Sequence, residues 1–184
     1  MQKRKGMETL DNTFAKRLET RLVEVCSSHG FLKGTLLSSP DIDEAWTRLA
    51  ESYVGDAVRE FNDWPEFSLA CAGYLGMAVA FLWDKDWKGH KDVPYSFFLG
   101  DRGFDNMDDH ITDDILADAE HAVPAMRIVS ATVYHFMMKE APEAGTVEAY
   151  RMFIAAAEVT FRVGAAIELC RLGYRLEAVN KYVS

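Results

Sequence analysis

The sequence predicts an all-α protein, an antiparallel helical bundle of about six helices that forms one domain over residues 1–184. Three observations predict this fold class. Apolar residues recur every three or four positions over long stretches, which is the period of a helix with one buried face. Only 12 Gly and 5 Pro interrupt the 184 residues. No run of residues alternates with the period of two that a half-buried strand requires.

The first predicted helix covers about Glu8–His29 and ends at Gly30 and Gly34. Residues 1–7 precede it, and we expect them to be disordered. Its apolar residues lie three or four positions apart and therefore form one stripe: Phe14, Leu18, Leu22 and Val25.

The second predicted helix begins at Ser39-Pro40-Asp41 and extends to Phe61. Serine is a favoured N-cap, and proline and acidic residues are favoured in the first turn. Trp64-Pro65 ends the helix, because the residue before a proline avoids the helical conformation. An aromatic stripe on this helix is expected to face the core: Trp46, Tyr53 and Phe61.

The third predicted helix, from Pro65 to Trp83, is apolar on nearly all sides and should therefore lie at the centre of the bundle. Ala72, Gly76 and Ala80 recur every four residues, and such small side chains allow a neighbouring helix to approach closely. The polar segment from Asp84 to Arg102 is predicted to be a connection.

Three further helices complete the prediction. The fourth covers about Asp105–Ala122, Pro124 opens the fifth, and the last covers about Val147–Ala178 and is heavily apolar. The connections are short, so consecutive helices should pack antiparallel.

The charge distribution limits the possible partners. The formal net charge is −9, and residues 64–121 alone contain 12 acidic and 4 basic side chains, a net −8. A nucleic-acid-binding surface requires a basic patch, so we expect no nucleic-acid partner. We expect the carboxylates of this middle third to be solvated.

The cysteines and the apolar segments predict where the protein resides. Cys26, Cys71 and Cys170 are too far apart for a zinc site or a disulfide framework, which indicates free thiols in a reducing compartment. The longest apolar stretch, Phe67–Trp83, is short for a membrane span. We therefore expect a soluble, cytoplasmic protein without a signal peptide or a membrane partner.

The predicted fourth helix carries the candidate metal ligands. His110 and Asp114 are four residues apart and lie on one helix face, where imidazole and carboxylate could hold a divalent transition metal with ligands from another helix. The alternative is an acidic surface at a helix start, where the macrodipole favours carboxylates.

Two short segments resemble known ion-binding motifs. Residues Asp108–Asp114 resemble the aspartate-rich motif of all-α isoprenoid synthases, which would imply magnesium and a diphosphate, but the spacing differs by one and no second acidic motif follows. Residues Asp84–Asp92 resemble the start of an EF-hand loop, but Lys88 replaces an oxygen ligand and Tyr95 replaces the final glutamate. The alternative for this segment is a cover over the core, with Trp83 and Trp87 packed inward.

The last helix carries charges among apolar residues. Glu158 and Arg162 are four apart in the favourable order, so they are candidates for a polar spot in a ligand cavity or an oligomer interface, or for a structural ion pair. Glu168 and Arg171 must be paired if they are buried.

No complete catalytic motif is present, so the sequence predicts no catalytic residue and no cofactor, and enzymatic activity stays open. The favoured hypothesis is a protein that acts through association, as a homodimer, because two predicted helices are apolar nearly all round. The alternatives are a metal-dependent enzyme that uses the acidic helix and a bundle that binds a small ligand near the last helix.

Overall fold

The computed structural model describes the backbone of residues 2–140 and 142–175, and the side chains within these ranges from residue 13 onward. Five long helices form the bundle: α1 (Gln2–Ser28), α2 (Pro40–Phe61), α3 (Pro65–His90), α6 (Ala119–Lys139) and α7 (Val147–Arg171). Two short helices, α4 (Tyr95–Leu99) and α5 (Met107–Asp109), lie between α3 and α6. The described residues contain no strand, which confirms the all-α fold class. The expectation of disorder at 1–7 stays a prediction.

Consecutive long helices run antiparallel, as predicted. Tyr53 of α2 donates a hydrogen bond to the carbonyl of Ser68 in α3, and Trp83 farther along α3 donates to Asp41 at the start of α2. Contacts between aromatic rings show the same opposed direction for α2 with α7 and for the α1 region with α6: Trp46–Phe161, Phe61–Phe153, Phe14–Phe136 and Phe31–His121.

The central pair, α3 and α7, is parallel. Gly73 contacts Gly164 near the middle of both helices, and Asp84 accepts a hydrogen bond from Tyr174 beyond them in the same direction. A methyl group on Gly164 would overlap the carbonyl of Gly73, so the two backbones touch. The prediction that α3 is central and closely approached is confirmed, and glycine makes that approach possible.

Helix starts follow the expected signals. The Ser39 side chain accepts a hydrogen bond from the N–H of Asp41 at 3.2 Å, with Pro40 in the first turn. In α7, the Thr146 side chain accepts from the N–H of Ala149 at 3.2 Å. Both caps satisfy a backbone donor that has no partner within the helix.

Two predicted boundaries are wrong. The fourth helix does not cover Asp105–Ala122, because residues 104–115 form a 3₁₀ turn, α5 and a π-helix (His110–Ile115), and the chain then breaks at Ala117, which has φ 51°. Pro124 does not open a helix, because α6 begins at Ala119 and Pro124 lies inside it.

The segment expected to connect α3 with the acidic region is partly helical. Helix α3 continues to His90 with an interruption at Asp86, where φ is −165° and ψ is 88°. The Asp86 side chain accepts a hydrogen bond from the N–H of Gly89 at 3.2 Å, and Trp83 and Trp87 pack against the core. This agrees with a covering segment, and the carboxylate of Asp86 is used within the helix turn.

Buried apolar side chains from the five long helices form one contiguous core. Helix α3 is long and apolar enough to cross a membrane, but 78% of its most apolar window is buried by its neighbours. Such burial is typical of the core helix of a soluble protein. The Phe67–Trp83 stretch therefore belongs to the bundle interior.

Candidate functional site

The irregular segment between α4 and α6 borders a cleft, here called the acidic cleft. Its volume is about 310 Å³. Four carboxylates, one imidazole and one guanidinium line it together with backbone and apolar atoms: Leu99, Gly100, Asp101, Arg102, Asn106, Asp109, His110, Asp113 and Asp114. A π-helix and a non-glycine residue with positive φ are uncommon and concentrate at functional sites. This cleft is therefore the first candidate site.

His110 joins the two sides of the acidic cleft. Its Nδ1 lies 2.8 Å from a carboxylate oxygen of Asp114, and its Nε2 lies 3.0 Å from the carbonyl oxygen of Phe97. Both partners are acceptors, so both bonds form together only when the imidazole carries two protons. Gly100, with φ 69°, lies against the ring, and a Cβ there would be 2.8 Å from the His110 Cγ.

The sequence correctly placed His110 beside Asp114, and the two side chains are in hydrogen-bond contact. A metal requires a free imidazole nitrogen, and both nitrogens of His110 are hydrogen-bonded. Within residues 13–140 and 142–175, no group of three or more His, Cys, Asp or Glu side chains is arranged to hold a metal ion. The metal assignment for His110 and Asp114 stays a prediction.

One carboxylate of the acidic segment differs from the expected solvated surface. Asp108 is half-buried, and its Oδ1 is buried without a hydrogen-bond partner among the described residues. Burial raises the pKa of Asp108 above its ordinary value, and the negative charges of Asp109 and Asp113 act in the same direction. Burial also raises the pKa of Tyr74, with a further contribution from Asp108.

The expected pairing of Glu158 with Arg162 is wrong. Arg162 points to other helices: its Nη1 lies 3.0 Å from Glu19 of α1 and its Nε lies 3.7 Å from Asp43 of α2. Glu158 is exposed on α7. Arg162 thus links three helices, and the proposed ligand-binding role of Glu158 and Arg162 stays a prediction.

Glu168 is buried and is paired with the partly exposed Arg171, as the sequence argument requires of a buried charge. The Glu168 side chain is 0% exposed, and both of its oxygens accept hydrogen bonds from the Arg171 guanidinium. Arg171 also lies 3.5 Å from Asp118, which precedes α6. The bond to Glu168 raises the pKa of Arg171. Because the cation is fully engaged by carboxylates, this pair is structural.

The two apolar helices on which the sequence argument for a dimer relied are buried inside the bundle, and the dimer itself stays a prediction. Helices α3 and α7 pack on each other and are covered by α1, α2 and α6. The exposed apolar side chains lie elsewhere. Seven large ones are exposed within the described residues, and five of them lie near one end of the bundle.

An aromatic cluster lies at this end of the bundle, where α2 and α6 finish and α7 begins. The Phe61 ring lies 5.0 Å from the Phe153 ring and 6.5 Å from the Tyr134 ring. The five exposed side chains lie within about one or two helical turns of this cluster along the chain: Val58, Trp64, Met138, Val147 and Tyr150. We call these five residues the end patch. Sequence reasoning missed it, because its members come from separate helices and share no spacing.

Trp64 dominates the end patch, with 65% of its surface exposed, followed by Val147 at 60% and Tyr150 at 48%. Trp46 and Tyr53, from the predicted aromatic stripe, are buried, whereas Phe61 is half-buried and belongs to the aromatic cluster.

Comparison of the chain with protein-family models, with curated protein sequences and with solved structures found no match.

Proposed function

We propose that this protein acts by association through the end patch, and that its partner is a second copy of the same chain. The observation that carries the proposal is the grouping of exposed apolar side chains. Isolated apolar residues are ordinary on a surface, but several exposed at one end of a bundle, Trp and Tyr among them, are typical of an interface.

The charges around the end patch favour a second copy as the partner. Arg59 follows Val58 in α2, and Arg151 follows Tyr150 in α7; neither forms an ion pair with another described residue. Asp63 and Glu148 provide opposite charges on the same end of the bundle. A two-fold interface places one patch against its own copy, so it requires both signs within one patch.

The experiment compares the mass of the protein in solution for two variants across a range of concentrations. Replacing Trp64 and Tyr150 by Ser removes the aromatic anchors of the patch, and we expect the dimer dissociation constant to rise by roughly tenfold or more. Light scattering and sedimentation equilibrium measure this change. The matched control is Phe97→Ser, because Phe97 is 40% exposed but lies beside the acidic cleft.

The control should dimerise like the unaltered protein. A strict monomer at all concentrations, or a dimer whose affinity is unchanged by the Trp64→Ser and Tyr150→Ser double variant, would overturn the proposal. Circular dichroism of each variant shows that a lost dimer is not a lost fold.

We further propose that this association takes place in the cytoplasm. The free cysteines Cys26, Cys71 and Cys170 support a reducing compartment, and the burial of α3 within the bundle supports a soluble protein.

A further inference from the structure

A second cleft lies at the opposite end of the bundle from the end patch, where α1 and α7 finish. Its volume is about 300 Å³. Residues of the α1–α2 connection form one wall and the end of α7 forms the other: Leu32, Lys33, Thr35, Leu37, Cys170, Tyr174 and Arg175. This cleft, here called the α7-end cleft, is separate from the acidic cleft and from the end patch.

Both walls of the α7-end cleft are held in place by hydrogen bonds. The N–H of Leu32 donates to the carbonyl of Cys26 at 3.2 Å, and the N–H of Gly34 donates to the Ser27 side chain at 2.9 Å. These bonds fix the connection after α1. A ligand would therefore not need to order this wall when it binds.

The opposite wall is fixed by Tyr174. Its N–H donates to the carbonyl of Leu169 at 3.0 Å, its hydroxyl donates to Asp84 at 2.7 Å, and its ring lies 5.5 Å from the Trp83 ring. The carboxylate of Asp84 is thereby engaged by the hydroxyl. The cleft exists before any ligand arrives.

The lining of the cleft defines the chemistry of a ligand. Leu32, Leu37 and Cys170 offer apolar surface, whereas Lys33 and Arg175 are exposed cations that form no ion pair within the part of the chain that the structure describes. Small-molecule sites combine such apolar walls with a few polar groups that fix orientation. We infer that this cleft binds a small apolar molecule with one anionic head group, such as a medium-chain carboxylate. In a chain of net charge −9, two unpaired cations beside an apolar cleft select for an anion.

Cys170 provides a reporter inside the cleft. It is partly exposed, whereas Cys26 and Cys71 are buried, and burial raises the pKa of Cys26 to about 11. Alkylation of the folded protein by iodoacetamide should therefore modify Cys170 first. The rate of that modification, followed by mass spectrometry, reports whether the cleft is occupied.

The probe is decanoate, kept below the concentration at which it forms micelles. We expect decanoate to slow the alkylation of Cys170 about tenfold once its concentration is tenfold above the dissociation constant. Lys33→Gln should weaken this protection by roughly tenfold, because a charge-assisted hydrogen bond is lost. Lys139→Gln, which removes an exposed cation at the other end of the bundle, should leave it unchanged.

Three results would overturn the inference. The first is an unchanged alkylation rate with decanoate. The second is equal protection by decyltrimethylammonium, which has the same chain and the opposite charge. The third is equal protection of Lys33→Gln and of the unaltered protein. Circular dichroism of each variant confirms that it is folded.

Discussion

At the scale of single residues, Asp108 shows how burial changes the behaviour of a carboxylate within an acidic segment. Its neighbours Asp113 and Asp114 are exposed, whereas its own Oδ1 is buried without a partner among the described residues. Burial makes ionisation of this carboxyl costly, and the hydrogen bonds from the backbone at Asp108 and Asp109 offset only part of that cost. The raised pKa of Asp108 is the expected response, because the protonated form is less costly to bury.

This raised pKa predicts how the stability of an Asp108→Asn variant depends on pH. The folded-state pKa lies above the ordinary value of 3.8, so the folded state binds more protons than the unfolded state between these two values. The contribution of Asp108 to stability is therefore present below 3.8 and is lost as the pH rises through the folded-state pKa. Asparagine does not ionise, so the variant should be more stable than the unaltered protein at pH 7, with the difference shrinking in acid.

Thermal unfolding, measured from pH 3.5 to 7, checks this expectation (the range is about that over which a carboxyl titrates). The matched control is Asp92→Asn, which removes the same charge from an exposed position outside the acidic segment. If the stability difference between Asp108→Asn and the unaltered protein is the same at every pH, burial does not raise the pKa of this carboxyl and the prediction is wrong.

At the scale of helices, replacing glycine by alanine should have opposite effects at the α3–α7 contact and at an open position in α2. Gly164→Ala should destabilise the protein by about 1–3 kcal/mol, because the new methyl group overlaps the Gly73 carbonyl and forces the central helices apart. Gly55→Ala in α2 should stabilise it by roughly 0.5–1 kcal/mol, because the methyl group there meets nothing within 4 Å and alanine favours a helix. Chemical denaturation measures both values. Equal effects at the two positions would show that α3 and α7 are not in backbone contact.

Local sequence signals predicted the helix ends that are marked by a capping residue or by a proline. The Ser39 cap and Trp64-Pro65 bound α2 as expected, and the apolar residues on nearly all sides of α3 identified the central helix. The π-helix and the break at Ala117 could not be predicted, because alanine has no preference for positive φ and only the surrounding packing holds it there.

The same limit applies to the candidate sites. The four-residue spacing of His110 and Asp114 predicted their contact, since both lie on one helical turn. The bond from His110 to the Phe97 carbonyl spans thirteen residues and has no local signal. For Arg162, the local partner Glu158 was the wrong choice, because two carboxylates on other helices approach the guanidinium instead. Spacing within one helix predicts neighbours only where no other helix competes for them.

At the scale of the whole molecule, the direction of the helices separates the two proposed surfaces. Because α1, α3 and α7 run one way and α2 and α6 the other, α7 begins where α2 and α6 finish and ends where α1 finishes. The end patch therefore lies at the start of α7 and the α7-end cleft at its finish. A copy docked on the patch leaves the cleft open, so the two proposals are tested independently.

The Glu168–Arg171 pair predicts how the free energy of unfolding changes when the cation that neutralises Glu168 is removed. Arg171 binds Glu168 within α7 and also approaches Asp118, which joins the acidic segment to α6. Arg171→Met leaves the fully buried Glu168 without a counter-charge, and we expect it to cost about 3–5 kcal/mol in the free energy of unfolding. Adding Glu168→Met should recover most of that loss, because two apolar side chains replace two charges.

The matched control for this prediction is Arg162→Met, which breaks an interhelical pair whose partners Glu19 and Asp43 are partly exposed, 29% and 48%. That variant should lose no more than about 1 kcal/mol, because solvent screens the pair. Urea denaturation followed by circular dichroism measures all of these variants. If the double variant is as unstable as Arg171→Met, the loss arises from packing of the arginine side chain, and the Glu168 charge is not the cause.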